Sequence, residues 1–473
     1  MARRALIVAD LKRLCPAAEC VIEAEDEIRA YETDGLSAYR QIPLAVVLPR
    51  TTEEVAAVMR YCHQERIPVT ARGAGTSLAG GAMPTADGVV LGLMKLNAIL
   101  DLDFANRTAT VEAGVTNIAI TQAVEHEGFF YAPDPSSQLA CSIGGNVANN
   151  SGGAHCLKYG VTTNNLLGVK LVTVEGDIVE IGGKHLDAAG YDLLGLLCGS
   201  EGQLGVVTEV TVRILKAPEG ARPMLLGFKS NRQAGACVDA IIASGIIPVA
   251  LEFMDKPAIH AVEAFVHAGY PLDVEAVLIA EVEGNDTEID DLLARITKIA
   301  KAHDASYLRV ASNAAEAAAI WKGRKSAFGA VGRISPDYIC IDGTIPTSAL
   351  PETLDRIGQI SRSYGLEVAN IFHAGDGNLH PLILYNANAP GELEKAEQCS
   401  AEILKLCVDV GGCLSGEHGV GIEKRDLMDY QFEAHELALQ KRIKAAFDPH
   451  DILNVGKVFP LEDATTTALG RAA

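Results

Sequence analysis

The sequence predicts an α+β fold in two main domains, and three observations support this prediction. The chain has 473 residues, a length typical of two or three domains. From Pro43 to residue 217, short apolar strands alternate with helices and with two Gly-rich loops. From residue 218 onward strands and helices alternate again, as in an antiparallel sheet that carries helices.

The first 42 residues form a segment of their own, and residues 5–30 have a helical pattern. The first domain spans residues 43–217, where Thr51 or Thr52 is expected to cap a helix. The elements predicted in it are strands at 45–49, 68–72 and 202–214, helices at 51–67 and 116–128, and a hairpin that turns at Glu175-Gly176-Asp177.

The second domain spans residues 218–430, and a C-terminal segment, residues 431–473, is expected to return to the first domain. Strands are predicted near 223–228, 248–254, 275–283, 305–311, 337–343, 366–372 and 380–386. Helices are predicted near 231–244, 257–267, 286–302, 313–328, 347–363, 391–409 and 433–447.

Composition and charge exclude several classes of function. The chain is 48% hydrophobic and 21% charged, as in an ordinary globular protein with ample core. Its net charge is −21, which repels nucleic acid and anionic membrane surfaces. An anionic ligand must therefore be held by local donors.

The cysteines and apolar runs predict a cytoplasmic chain. Eleven cysteines occur without CxxC pairs, which is typical of reduced, buried thiols and offers no cluster for iron–sulfur ligation. The N-terminal apolar run "ALIVA" is too short for a signal peptide. The most apolar run, "AIIASGIIPVAL" (240–251), is far shorter than the roughly 20 residues of a membrane span. We expect at most peripheral association with the inner face of the cell membrane.

Two long Gly-rich loops predict a phosphate-bearing ligand. They are "RGAGTSLAGGAMP" (72–84) and "PDPSSQLACSIGGNVANNSGG" (133–153). Glycine lets backbone N–H groups approach phosphates closely. The dinucleotide pattern GxGxxG fails, because Leu78 stands where the third glycine is needed after Gly73 and Gly75. One such loop is compatible with a plain turn, but two in one domain favour a long ligand such as FAD.

The motif "HAGDGNLH" (373–380) predicts a pair of imidazoles. Asp376-Gly377 is a strong signal for a two-residue hairpin turn. In that hairpin His373 and His380 would lie opposite each other, with Cβ atoms about 5 Å apart. Two polar strand residues beside a loop remain the simpler interpretation of this motif alone.

A second motif, "SGEHGVG" (415–421), supplies Glu417 and His418. Two neutral imidazoles and a carboxylate form a common site for zinc, manganese or iron, with open positions for substrate. The predicted metal ligands are therefore His373, His380 and Glu417. His418 is either a fourth ligand or a general base.

Arg324, in "IWKGRKSAFGAV", is the candidate to bind a substrate carboxylate, because its guanidinium offers a planar pair of donors. A surface helix arginine is the alternative, since Lys322 and Lys325 lie beside it.

Eight motifs give the chain a resemblance to a known family over nearly its whole length. "RGAGTSLAGGAMP", "PDPSSQLACSIGGNVANNSGG", "KYGVTTNNLLGVKLV" and "GSEGQLGVVTEV" resemble the PCMH-type FAD-binding domain of the vanillyl-alcohol oxidase superfamily. "RISPDYICIDGTIP", "HAGDGNLHP", "GGCLSGEHGVGIEK" and "FDPHDILNVGK" resemble the C-terminal domain of FAD-linked oxidases. The resemblance implies a flavoenzyme with these two domains in this order.

The resemblance also implies which residues line the cofactor. They are Arg72, Gly73, Ala74, Gly75, Thr76, Ser77, Gly80, Pro133, Asp134, Ser136, Ser142, Gly145, Asn146, Asn149, Gly152, Gly160, Thr162, Asn165, Glu201, Gly205, Val207 and Asn454. The first loop would hold the pyrophosphate, and Glu201, Gly205 and Val207 would lie near the adenine end. Some members attach flavin through a histidine where this chain has Thr76, so we expect noncovalent FAD.

For the chemistry, the resemblance implies oxidation of a small 2-hydroxy acid, glycolate or D-lactate, to the 2-oxo acid by hydride transfer to FAD. His373, His380 and Glu417 match the family's metal site, His418 its catalytic histidine and Arg324 its carboxylate clamp. Members that oxidise hydroxyglutarate carry a lysine where this chain has Cys340, which favours a short substrate. Members that oxidise glycolate imply two partners, a second FAD-binding subunit and an iron–sulfur subunit.

Other interpretations fit the residues less well. A D-2-hydroxy acid dehydrogenase that acts alone would have the same motifs. A noncatalytic FAD relay subunit could lose the metal ligands, but this chain keeps all three. A nucleotide-sugar reductase on the same fold leaves "HAGDGNLH" and "SGEHGVG" unexplained, and a plain metal-binding protein leaves the Gly-rich loops unexplained.

Overall fold

The computed structural model describes residues 2–185 and 190–461, which divide into two compact units. The first unit contains residues 1–152, 161–217 and 417–473. The second unit contains residues 153–160 and 218–416. The last part of the predicted C-terminal segment, residues 462–473, lies outside the described residues.

The strands of the first unit have two to eight residues. They are β1 (Val21–Ile22), β2 (Ala45–Val47), β3 (Val69–Arg72), β4 (Val89–Gly92), β5 (Ile99–Asp103), β6 (Thr108–Glu112), β7 (Phe129–Phe130), β8 (Leu166–Val172), β9 (Ile178–Gly182), β10 (Val206–Arg213) and β11 (Leu215–Lys216). The strands of the second unit are β12 (Gly220–Phe228), β13 (Ala250–Asp255), β14 (Ala276–Gly284), β15 (Tyr307–Val310), β16 (Asp337–Cys340), β17 (Glu367–His373) and β18 (Pro381–Tyr385).

Helices occur in both units. They are α1 (Ala2–Leu14), α2 (Glu25–Ile28), α3 (Thr52–Glu65), α4 (Asn117–Val124), α5 (Ile143–Asn149), α6 (Cys156–Tyr159), α7 (Thr162–Asn165), α8 (Leu193–Leu197), α9 (Asn231–Ala243), α10 (Lys256–Val266), α11 (Asp286–Ala302), α12 (Ala314–Val331), α13 (Leu350–Ser363), α14 (Glu392–Asp409), α15 (Met428–Gln431) and α16 (Ala434–Phe447).

The first unit contains two main sheets. In one, β2, β4 and β3 run parallel, and β1 joins the edge antiparallel to β2. In the other, the order β5-β6-β10-β8-β9 is antiparallel throughout. Helix α3 begins as the sequence indicates, because Thr51 Oγ1 accepts from the N–H of Glu54 at 3.2 Å. The first Gly-rich loop starts at the carboxyl end of β3.

The long N-terminal helix predicted at residues 5–30 is wrong. Helix α1 ends at Leu14, and the chain then turns into β1. Pro16 follows almost at once, and a proline ring disfavours a helical conformation in the residue before it. Cys15 and Cys20, on either side of this turn, are both buried in the core of the unit.

The second unit is built on one antiparallel sheet. Its described strands follow the order β15-β12-β14-β13-β17-β18-β16, and each neighbouring pair is antiparallel. Every residue of β13 is buried, so both faces of the sheet centre are covered. The structure confirms the predicted α+β class, and it places β13 and β17 side by side at the centre of this sheet.

Candidate functional site

The first Gly-rich loop closes over the guanidinium of Arg72. Gly75 has φ +73°, and a Cβ at this position would collide with that guanidinium. Arg72 is buried and donates to the carbonyl oxygens of Thr33 (2.7 Å) and Ala82 (3.5 Å). Its Nε is buried without a hydrogen-bond partner among the described residues. The loop therefore holds one charged donor that still needs an acceptor.

The second Gly-rich loop lies against the first. A Cβ at Gly73 would overlap Ser142 Oγ, so the close approach of the two loops requires glycine here. Ser142 caps α5 by accepting from the N–H of Gly145 at 3.3 Å. Asn146 donates to Asn117 Oδ1 at 2.9 Å and is itself buried. The two loops that the sequence predicts to wrap one ligand are thus neighbours within the first unit.

The C-terminal segment returns beside β3. Val69 donates to the carbonyl of Ile452 (2.7 Å) and accepts from the N–H of Asn454 (2.9 Å). Asn454 is buried, and its Nδ2 donates to the carbonyl of Glu201 at 2.5 Å. Asn454 Oδ1 is buried without a partner among the described residues. This segment adds an unsatisfied acceptor to the unsatisfied donor of Arg72.

The loops and the return segment fit FAD. Buried polar atoms without partners are uncommon in folded proteins, and a binding site for a ligand is a common reason for them. The predicted lining residues of the first unit are Arg72, Gly73, Ala74, Gly75, Thr76, Ser77, Gly80, Pro133, Asp134, Ser136, Ser142, Gly145, Asn146, Asn149, Gly152, Thr162, Asn165, Glu201, Gly205, Val207 and Asn454. Gly160 belongs to the second unit. The individual contacts of these residues with FAD stay predictions.

Glu201 supports the loop that follows His418. Its two carboxylate oxygens accept from the N–H groups of Val420 (2.7 Å) and Gly421 (2.8 Å). Burial raises the pKa of Glu201, although these two N–H donors and the charge of Lys424 oppose that shift. The predicted position of Glu201 near the adenine stays untested, but its carboxylate already has this structural role.

The turn of "HAGDGNLH" differs from the predicted hairpin. The turn contains four residues, 374–377, and His373 pairs with Asn378 instead of His380. Asn378 N–H donates to Asp376 Oδ1 at 3.2 Å, and Ile345 N–H donates to the carbonyl of Gly377, so contacts outside the hairpin set its register. The two-residue slip leaves both histidines on one face, because side chains alternate with a period of two.

The two imidazoles lie close together in the second unit. Their ring centroids are 5.2 Å apart and the rings are perpendicular. His380 is buried, and its Nδ1 lies 3.1 Å from the carbonyl oxygen of Ile341. His373 Nδ1 lies 2.8 Å from Glu252 Oε1. Both partners are acceptors, so Nδ1 of each ring carries a proton and donates it in these contacts.

This pattern fits a divalent cation. Histidines that bind metal commonly donate their other ring N–H to a carboxylate or a backbone carbonyl, which fixes the tautomer and the ring orientation. His373 has the carboxylate partner and His380 the carbonyl partner.

Glu252 is a site residue that the sequence reasoning missed. It lies on β13 directly opposite His373, and it is buried. Arg324 donates to its other oxygen, Oε2, through Nε (2.8 Å) and Nη2 (2.6 Å). Burial favours the neutral acid, but the charges and hydrogen bonds of His373 and Arg324 outweigh it and lower the pKa of Glu252. The signal in the sequence was a lone glutamate inside the apolar run of β13.

The surroundings of Arg324 do not fit the alternative interpretation, a surface helix arginine. It is buried on α12, and two of its nitrogens bind Glu252. A guanidinium has five N–H donors, so this ion pair orients the group and leaves donors to spare. Its role toward a substrate carboxylate stays a prediction.

Asp342 is the second residue that sequence reasoning missed. It is completely buried and accepts from Asn378 Nδ2 (3.2 Å), Ser415 Oγ (2.6 Å) and the N–H of Gly416 (3.2 Å). A Cβ at Gly416 would overlap Asn378 Nδ2, so the two loops lie in direct contact. Glu417 follows Gly416 in the chain. Asp342 therefore holds the backbone at the residue immediately before Glu417.

His418 is held through its backbone. Asn149 Nδ2 donates to the carbonyl of His418 at 2.6 Å, and Lys424 Nζ donates to the carbonyl of Gly419 at 2.8 Å. Gly419 has φ +86°, a conformation that glycine adopts readily. Together with Glu201 these contacts fix the backbone of His418 and of the three residues that follow it.

Comparisons with known proteins agree with the two-part organisation. The model of the FAD binding domain matches residues 43–182, and that of the C-terminal domain of FAD linked oxidases matches residues 217–458. The described helices include none that is long and apolar enough to cross a membrane.

Two relatives and one solved structure are similar to nearly the whole chain. The glycolate oxidase subunit GlcD of Escherichia coli (strain K12) is 51% identical over 97% of this chain and 91% of its own. A D-lactate dehydrogenase of Anaerostipes hadrus is 32% identical over 92% and 93% of the two chains. The structure of p-cresol methylhydroxylase with substrate bound has a TM-score of 0.81 at 17% identity, covering 98% of both chains. This last similarity concerns the fold alone.

Proposed function

The chain belongs to the FAD-linked oxidase family, and on that premise we propose that it oxidises a small 2-hydroxy acid, glycolate first, to the 2-oxo acid. The observation that carries the proposal is the pair His373 and His380, whose Nδ1 atoms face a carboxylate and a backbone carbonyl, the arrangement common among histidines that bind metal. A relay subunit that only passes electrons has no need of this arrangement.

The proposed metal ligands are His373, His380 and Glu417. Asp342 contributes by binding both the "HAGDGNLH" turn, through Asn378, and the residue before Glu417. A divalent cation held there supplies Lewis acidity to a substrate hydroxyl. FAD supplies a two-electron acceptor for the hydrogen on the carbon that carries the hydroxyl.

His418 is proposed to take the proton of that hydroxyl. An imidazole titrates near the working pH and is the commonest general base. Hydrogen bonds from Asn149 and Lys424 to the carbonyls of His418 and Gly419 hold the backbone here, which fixes the position of the His418 Cα. Arg324, oriented by Glu252, is proposed to bind the substrate carboxylate through its remaining donors.

The proposal of a short substrate rests on one residue, Cys340. Cys340 is buried at the end of β16, where members of the family that oxidise hydroxyglutarate have a lysine. A thiol offers no charge to a second carboxylate, which favours glycolate or D-lactate over a diacid. D-lactate stays the second candidate because a D-lactate dehydrogenase is among the relatives.

The acceptor that takes electrons from reduced FAD is proposed to be a partner subunit. The most similar relative named above is a subunit, so we propose that this chain also works in a complex, with a second FAD-binding subunit and an iron–sulfur subunit that lead to the respiratory chain. The assembly would associate with the inner face of the membrane peripherally.

The test is a dye-linked assay of the purified chain with glycolate, D-lactate and D-2-hydroxyglutarate, before and after chelation and with zinc, manganese or iron restored. The proposal predicts activity with the short acids, loss on chelation and recovery with one of the metals. Full activity after chelation would remove the metal from the mechanism, and inactivity with every acid would remove the catalytic role.

A further inference from the structure

Lys457, in the C-terminal return segment of the first unit, is a buried cation for which the function described so far has no use. Its side chain is enclosed, with 4% of the residue exposed. Nζ makes no hydrogen bond to any of the described residues. A buried ammonium without an acceptor is costly, so a native protein needs a reason to keep one.

None of the described protein groups around Lys457 accepts a hydrogen bond from its ammonium. Two carboxylates, Asp34 and Glu201, act on it electrostatically. Asp34 accepts from the N–H groups of Leu36 (3.0 Å) and Ala82 (3.1 Å), and both oxygens of Glu201 accept from the loop after His418. These carboxylates are therefore directed at backbone donors, and neither accepts a hydrogen bond from Lys457 Nζ.

Burial lowers the pKa of Lys457 to about 7, and Arg72 adds to that shift while Asp34 and Glu201 oppose it. The same interior lowers the pKa of Arg72, again mainly through burial. Lys457 and Arg72 of the first unit thus lie in surroundings that disfavour their positive charge. An electron-rich group beside them would stabilise both charges.

Lys457 is not the only unsatisfied group in this part of the unit. Arg72 Nε is a buried donor and Asn454 Oδ1 a buried acceptor, each without a described partner. The diphosphate of FAD offers acceptors only and cannot satisfy Asn454 Oδ1. The pyrimidine edge of the flavin ring offers carbonyl and ring-nitrogen acceptors together with an N–H donor, so it can satisfy both Lys457 Nζ and Asn454 Oδ1.

We propose that Lys457 is a flavin-binding residue whose ammonium donates to the electron-rich pyrimidine edge of the FAD ring. There it stabilises the negative charge that this edge gains on reduction. The inference rests on FAD as the cofactor and is independent of the proposed substrate and metal.

The test is the reduction potential of the bound flavin in Lys457→Met, measured by anaerobic reductive titration against a reference dye without any hydroxy acid. Loss of the charge should favour oxidised over reduced flavin by at least tenfold, which lowers the two-electron potential by about 30 mV. Lys457→Arg should retain FAD with a potential near that of the unaltered protein.

Lys444→Met is the matched control. Lys444 is also buried in the first unit, but its Nζ has acceptors in the carbonyls of Gln203 (3.0 Å) and Leu453 (2.9 Å) and in Asp448 (2.5 Å). This variant should lower the melting temperature and leave the flavin potential unchanged.

Three results would overturn the proposal. One is a potential in Lys457→Met equal to that of the unaltered protein. Another is weaker FAD binding at an unchanged potential, which would move the contact to the diphosphate. The third is failure of both Lys457 variants to fold with FAD supplied while Lys444→Met folds, which would make Lys457 structural. Because no substrate enters these measurements, they fail separately from the proposed function.

Discussion

The carboxylate of Glu252 joins two site residues that are far apart in sequence: Oε1 lies 2.8 Å from His373 Nδ1, and Oε2 lies 2.6 Å from Arg324 Nη2. The strand register of β13 against β17 puts Glu252 directly opposite His373. One buried negative charge therefore orients an imidazole and a guanidinium at once. Its loss should affect both the proposed metal ligand and the proposed carboxylate clamp.

Glu252→Gln should weaken divalent-metal binding by about 10–100-fold, because the amide has one acceptor oxygen and no charge to orient both His373 and Arg324. The measurement is calorimetric titration of chelated protein with zinc and manganese. The variant should also lose about 3–5 kcal/mol of stability, since Arg324 is left buried and unpaired. The double variant Glu252→Gln/Arg324→Met should recover stability but not metal affinity.

Glu275→Gln is the control for this change, because Glu275 forms a half-exposed ion pair with Lys256 in the same unit. It should alter neither quantity by more than about 1 kcal/mol. Equal metal affinity in Glu252→Gln and Glu275→Gln would contradict the assigned role of Glu252.

Asp342→Asn should lower the dye-linked turnover with FAD content unchanged. The amide keeps one acceptor oxygen but turns a donor toward Ser415 or Asn378, so one of the two loops loses its anchor. Leaving a buried donor unsatisfied costs about 1–3 kcal/mol, enough to reduce turnover by roughly 5–150-fold if the whole cost falls on loop placement. Turnover equal to that of the unaltered enzyme would show that the anchor is dispensable.

His418→Ala should reduce the rate of flavin reduction by roughly 10²–10⁴-fold, the usual contribution of a general base. FAD content should stay the same, because the contact with Asn149 uses the backbone of His418. His435→Ala, at an exposed histidine of the same unit, is the control and should reduce flavin at the normal rate. A decrease smaller than tenfold in His418→Ala would leave the base unassigned.

Asp255 predicts a specific pH dependence of stability. Burial raises its pKa to about 7, although hydrogen bonds from Asn370 and Ala258 oppose the shift. Between about pH 4 and pH 7 the unfolded chain has lost this proton and the folded chain keeps it, so stability falls as pH rises through that window. The total contribution is on the order of 4 kcal/mol, present in full only below about pH 4.

Urea unfolding of the unaltered chain and of Asp255→Asn, at about pH 5 and about pH 8, checks this sign. The asparagine cannot ionise, so the variant should gain stability relative to the unaltered chain at the higher pH. A stability difference that is the same at both pH values would mean that Asp255 is ionised throughout.

The local part of the fold was predictable from the sequence, because its signals are local. The cap Thr51, the Gly-rich loops and the alternation of strands and helices follow from neighbouring residues. The face shared by His373 and His380 was also predictable, since it depends only on strand periodicity. Their register was not, because Ile345, distant in sequence, binds the turn.

The supporting residues needed the tertiary structure. Glu252 and Asp342 are acids within apolar segments, where sequence alone cannot tell which strand lies opposite. Lys457 is the last residue of a recognisable motif, yet only the packed interior reveals that its ammonium has no protein acceptor among the described residues. The neighbours that give these residues their roles are distant in sequence, so a single sequence does not reveal them.

The most direct test of the central claim is an anaerobic titration of the purified flavoprotein with glycolate, followed by the visible absorbance of the flavin. The account predicts that glycolate bleaches the flavin, that chelation abolishes the bleaching and that restored divalent metal recovers it. A flavin that neither glycolate nor D-lactate bleaches, in protein that dithionite reduces fully, would contradict a catalytic 2-hydroxy acid site in this chain.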